Sequence, residues 1–199
     1  MMTAKKKMAA VVGLAFGTAF VLTVWAQVTP SDGPRYTSGT NLARPTDYRE
    51  WVYVGGGLGL TYDVASNPQD PPRFGNVFVN PSAYRSFLQT GKWPDGTVLV
   101  LESRVSETDQ LVSERGRYQA GFRRMEAEVK DSRFPDGWAF YDFGQAGSLR
   151  DAAPPLAGEE VARCVECHTK HTAVERTFVQ FYPTLLEVAR QKGTVKPGF

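Results

Sequence analysis

The only two cysteines of this 199-residue chain stand three residues apart, in Cys164-Val165-Glu166-Cys167-His168. No other feature constrains the chain as much, because this spacing puts two thiols and an imidazole within about a turn and a half of helix. Cys-x-x-Cys-His is the attachment signature of a c-type haem. Two thiols at that separation can add to the two haem vinyl groups while the adjacent histidine presents a nitrogen to iron. On this reading Cys164 and Cys167 hold one covalent haem c per chain, and His168 is the metal ligand. Three other readings stay open on these residues alone. The thiols can close a strained disulfide. They can serve as a redox dithiol, for which the thioredoxin strand-to-helix context is missing. Together with His168 and His171 they can bind zinc, although four ligands from so short a stretch rarely reach tetrahedral geometry.

A second strong protein ligand would close the other face of the iron to small molecules. The inventory of such ligands is short. His171 lies one turn beyond His168 on the same helix, so it cannot reach the opposite face. Beyond residue 26 the chain has one methionine, Met125, in an alternating pattern that core packing explains. The expectation is therefore a five-coordinate iron with an apolar distal side that binds a small gaseous ligand. The alternative is an electron-transfer cytochrome, with Met125 or another side chain as sixth ligand and a redox protein as partner.

The first 26 residues read as a secretory leader. Lys5, Lys6 and Lys7 precede an uncharged run from Met8 to Trp25, and Val24-Trp25-Ala26 has the small-residue spacing of a cleavage site. An uncleaved membrane anchor is the alternative, and either one places the domain outside the cytoplasm, in the periplasm or beyond. Losing this segment would move the formal charge from +2 to −1. What is left has no basic stripe with interleaved aromatics, so nucleic acid is not an expected partner. Residues 27–45, rich in Pro, Gly, Ser and Thr, read as a flexible tether, and residues 46–199 as one domain.

Within that domain, Tyr48 to Val54 reads as a short turn and a strand, and Gly55-Gly56-Gly57 as a flexible turn. No helix follows the glycines to make a phosphate loop. Strands are expected over Arg73–Val79, Thr97–Val105, Tyr118–Val129 and Trp138–Phe143. The apolar phase changes at Arg123-Arg124, which predicts a bulge there. Pro81 to Thr90 reads as a helix, with Asn80 as its cap and Gly91 as a left-handed terminus. Residues 144–157 read as a loop. A helix from Gly158 carries the cysteine motif near the C-terminus, and a last helix starts near Pro183 and ends before Gly193. Tight Pro-Asp-Gly turns favour antiparallel pairing. The expected class is therefore α+β, mainly an antiparallel sheet with packed helices.

Several segments, in this order, resemble the cytochrome P460 family, which includes the cytochromes c′-beta. They are Tyr48-Arg49-Glu50-Trp51-Val52-Tyr53-Val54-Gly55, Val77-Phe78-Val79-Asn80-Pro81, Pro94-Asp95-Gly96-Thr97-Val98, Gly137-Trp138-Ala139-Phe140, and the haem motif followed by Phe178-Val179-Gln180-Phe181-Tyr182-Pro183. The resemblance implies a homodimer, a five-coordinate haem c and chemistry on nitrogen compounds, either nitric oxide binding or hydroxylamine oxidation. The oxidising members carry a lysine bonded to the haem in the strand after Asp-Gly, and here Leu101 stands in that place. This departure points away from hydroxylamine oxidation. By strand alternation Leu99 and Leu101 share a face. Both are candidates for the distal wall, as are Phe78 and Phe87, with plain sheet core as the competing role.

Overall fold

The computed structural model describes residues 31–60 and 70–199. The expected leader, residues 1–26, and residues 27–30 of the expected tether lie outside them. In chain order the strands are β1 (Tyr36–Ser38), β2 (Asn41–Ala43), β3 (Val52–Leu58), β4 (Phe74–Val79), β5 (Val98–Glu107), β6 (Tyr118–Lys130), β7 (Trp138–Gln145) and β8 (Ala152–Ala153). Helix α1 (Pro81–Thr90) lies between β4 and β5, and α2 (Gly158–Lys170) and α3 (Pro183–Lys192) follow the strands. Strands β3-β4-β5-β6-β7 form an antiparallel sheet, and β1-β2-β8 a smaller one. The expected α+β class is what the chain forms.

Strand alternation sorts the large sheet into two faces. One carries Phe78, Val98, Val100, Met125, Ala127, Val129, Tyr141 and Phe143, which bury against Leu42 and Tyr48. The other carries Val79, Leu99 and Trp138, which bury with Ala83 and Phe87 of α1, Leu185 and Ala189 of α3, and Val174 and Phe178. Each fully buried side chain of this kind contributes roughly 1.5–3 kcal/mol, so the two cores hold the sheet from both sides. The expected bulge is present: Ser103 pairs with Arg124 and Arg104 with Phe122, which leaves Arg123 over. Gly91 ends α1 at φ 69°, and its N–H donates to the Phe87 carbonyl.

Four local expectations are corrected. The stretch read as a tether is not free from Ser31 onward: Leu42 is fully buried, and β2 pairs with β8, which itself lies inside the stretch read as the 144–157 loop. Pro, Gly and Ser content marks a chain that need not form long elements, and it does not prevent short strands from packing. The triple glycine is part of β3 rather than a turn. A Cβ on Gly55 would come within 2.8 Å of the Phe181 carbonyl oxygen and of the Tyr182 ring, so glycine here permits close packing. Asn80 holds the N-cap position of α1, but its side chain makes no capping hydrogen bond to the helix. Its Oδ1 accepts from the Val98 N–H at 2.8 Å and its Nδ2 donates to the Gly96 carbonyl at 3.2 Å, tying the helix start to β5.

The cap comes instead from Asp32, whose carboxylate accepts the Ser82 N–H at 2.7 Å and the Ser82 hydroxyl. Asp32→Ala is therefore expected to lower stability by about 1 kcal/mol, the usual effect of a lost helix cap. Denaturant unfolding would measure it, and an unchanged midpoint would remove this role.

Candidate haem site

Helix α2 is amphipathic, yet none of its residues is fully buried. Val161, Cys164, Val165, Cys167 and His168 are half-covered and form one stripe, while Glu159, Glu160, Arg163, Glu166 and Lys170 point to solvent. The spacing i, i+3, i+4, i+7 explains why these side chains share a face. That face is turned to the sheet: Cys167 packs at the edge of the Leu99–Phe87 core, and the Glu126 and Glu128 carboxylates act on Cys164. Both cysteines are free thiols. Burial raises both thiol pKa values above the usual range. A redox dithiol needs the opposite shift, so this weighs against that reading. The free thiols also weigh against the disulfide. Among the described residues no three His, Cys, Asp or Glu side chains converge as a metal site, which leaves the zinc reading without a ligand set.

His168 is fixed on all sides but one. Its Nδ1 lies 2.7 Å from the Arg176 carbonyl oxygen. An oxygen of that kind only accepts, so Nδ1 carries the proton and Nε2 keeps its lone pair. Phe140 and Phe178 flank the ring edge-on, with centroids at 4.7 and 4.8 Å. Glu128 Oε1 stands 3.3 Å from the same Nδ1. Burial alone would lower the His168 pKa, but the Glu128 carboxylate and the Arg176 carbonyl outweigh it and raise it. Burial raises the Glu128 pKa, against the pull of His168 and Arg176. A fixed tautomer with Nε2 available, next to two free thiols in the c-type spacing, is the donor set that a haem c requires.

The register places the other candidates. Across the sheet, Val79, Leu99, Glu128 and Phe140 form one rank, and Val77, Leu101, Glu126 and Asp142 form the next. His168 contacts the first rank. Leu99 and Leu101 share this face as expected, but their roles differ. Leu99 is 4% exposed and belongs to the core with Phe87, whereas Leu101 is half-buried and belongs to neither core cluster. Phe87 is fully buried, with its ring centroid 4.3 Å from that of Trp93, so core packing accounts for it.

Phe78 does not fit a distal wall with the leucines. It sits one residue out of phase, on the far face, where its ring meets Tyr48 edge-on at 5.4 Å. Met125 is also on the far face and 1% exposed, so the sheet itself separates it from His168. His171 is exposed at the end of α2.

The face beside Leu101 is not apolar, contrary to expectation. Arg124 Nη2 donates to Asp142 Oδ2 at 2.7 Å and lies 3.3 Å from Glu126 Oε1. Burial raises the Glu126 pKa, Arg124 opposes this and Asp142 adds to it. The apolar alternation along β6 does not by itself single out Glu126 or Glu128. The sheet order marks Glu128: β6 lies between two other strands, and an acid buried there is costly unless it has partners.

No curated protein matches the chain at a significant level. A family model described as Cytochrome P460 matches residues 45–179, from the end of β2 to the turn after Phe178 that packs on His168. The match covers most of the chain and includes every residue of the site just described, and the chain belongs to the cytochrome P460 family of haem-binding cytochromes.

Proposed function

We propose that this is an exported c-type cytochrome with a single haem bound through thioethers to Cys164 and Cys167, with iron held by His168 Nε2 and a second axial position open to nitric oxide. The observation that carries the reading is the half-covered stripe of α2, where two thiols in Cys-x-x-Cys-His spacing precede an imidazole whose Nδ1 is taken by the Arg176 carbonyl, which leaves Nε2 for a metal. When bound, the haem supplies an iron that takes a diatomic ligand. The chain orients that iron through the Arg176 carbonyl, Phe140 and Phe178, and lines the neighbouring sheet with Leu101, Glu126, Arg124 and Asp142. A homodimer in the periplasm completes the reading. The test is a pyridine haemochrome spectrum of protein made alongside a cytochrome c maturation system. It should show c-type haem at one per chain, and haem extractable by acidified ketone would overturn the covalent assignment.

The position of Met125 argues against an electron-transfer cytochrome that uses this residue as sixth ligand. Met125→Leu conserves volume, so it should lower stability by less than about 1.5 kcal/mol and leave the iron spectrum unchanged. A switch from a low-spin to a high-spin spectrum in this variant would restore the alternative.

One observation favours hydroxylamine oxidation as a second reading. Removing electrons from hydroxylamine also releases its N–H and O–H protons, and the Glu126 carboxylate, paired across the sheet with Leu101 and half-open to solvent, is placed to accept them. Leu101 in place of the cross-linking lysine stands against that reading.

A further inference from the structure

Glu128 is placed where an acid is hardest to keep. It is 8% exposed on a central strand, paired across the sheet with Leu99 on one side and Phe140 on the other. Its Oε1 is buried and accepts no hydrogen bond of good geometry. Breaking or withholding the partners of a buried charge strongly destabilises a fold, and a hydrophobic residue of similar size would be neutral or better. The packing of this face thus gives no reason for a carboxylate. What it does face is the back of His168, at 3.3 Å from Nδ1.

The surrounding charges are balanced. Lys130 Nζ donates to Glu175 Oε1 at 2.8 Å. The Arg176 guanidinium lies 3.4 Å from Asp136 Oδ2, with its Nη1 buried and without a hydrogen-bond partner. Arg176 also supplies the carbonyl that takes the Nδ1 proton. This residue therefore fixes the ring through its backbone and offsets Glu128 through its side chain.

We propose that Glu128 is a positioning residue for the iron: its carboxylate, 3.3 Å from His168 Nδ1, acts by charge on a ring whose Nδ1–H is taken by the Arg176 carbonyl, so that the imidazole becomes a stronger donor through Nε2. A ligand richer in electrons strengthens the iron–histidine bond and stabilises ferric over ferrous iron. The inference rests on His168 being the iron ligand.

The experiment uses the haem-loaded protein. Glu128→Gln keeps the bulk and removes the charge. The ferric/ferrous equilibrium should move roughly tenfold toward ferrous, a rise of about 59 mV for a one-electron couple. The iron–histidine stretching frequency of the ferrous protein, read by resonance Raman, should fall. Glu128→Asp, which keeps the charge further back, should lie between the two. An unchanged potential and stretch in Glu128→Gln would overturn the proposal. If that variant does not fold, the wild-type stretch decides: a frequency as low as that of a neutral imidazole complex would overturn it, and an imidazolate-like one would support it. The absence of any iron–histidine mode in the wild-type protein would overturn both this proposal and the ligand assignment, a result distinct from an unshifted mode.

Discussion

With Cys164 and Cys167 both replaced by serine, the protein is expected to emerge without covalent haem, its intact mass equal to that of the polypeptide alone. Serine keeps the size and polarity of the side chain but cannot form the thioether, so the change removes the bond and little else. A second effect should follow from packing. Helix α2 has no buried residue, and its inner stripe of Val161, Cys164, Val165 and His168 is only half-covered. A helix of this length is marginal without tertiary contacts, so α2 depends on what it holds. Amide exchange over residues 158–170 should therefore rise by at least tenfold, while α1 and the sheet, held by their own cores, change little. Covalent haem in the double serine variant would contradict the assignment, and unchanged exchange would contradict the account of α2.

The second large effect is expected at Leu101. Its side chain is half-buried and outside both cores, one rank away from the Leu99–Glu128 pair that meets His168. Leu101→Lys would bring an amine opposite Glu126 on the neighbouring strand, which offers it opposite charge and reduces the penalty of desolvation. The protein should stay folded. Peroxide treatment, with peroxide as the oxidant, should then add a third covalent attachment to the haem peptide and shift and broaden the Soret band, because a changed macrocycle has changed electronics. A folded variant whose haem stays unmodified after peroxide would show that Leu101 does not stand at the cross-linking position. Collapse of the fold would instead place Leu101 in the sheet core.

The elements that the sequence made legible are those with strong local signals. Pro81 and Gly91 bound α1, the phase change at Arg123 marks the bulge, and the cysteine spacing locates α2. What it hid are the features set by distant partners. Asp32 lies 50 residues from the helix that it caps, and Gly55 is explained only once Phe181 and Tyr182 pack on it. Phe78 was misplaced because periodicity gives the alternation along one strand, whereas the face is fixed by the register between β4 and β5. Glu126, Glu128 and Arg124 were missed for a related reason. An acid in an alternating strand looks solvated until the sheet order and the packing of α2 show what faces it. The helix that carries Cys164, Cys167 and His168 is thus legible from local spacing, whereas the sheet residues that face it are not.

The absorption spectrum of the ferrous protein before and after nitric oxide is added shows whether the iron that we propose to be held on one side by His168 is open on the other. A high-spin spectrum is expected, changing fully to that of a nitrosyl complex at about one equivalent. A low-spin, six-coordinate ferrous spectrum that resists nitric oxide would contradict it.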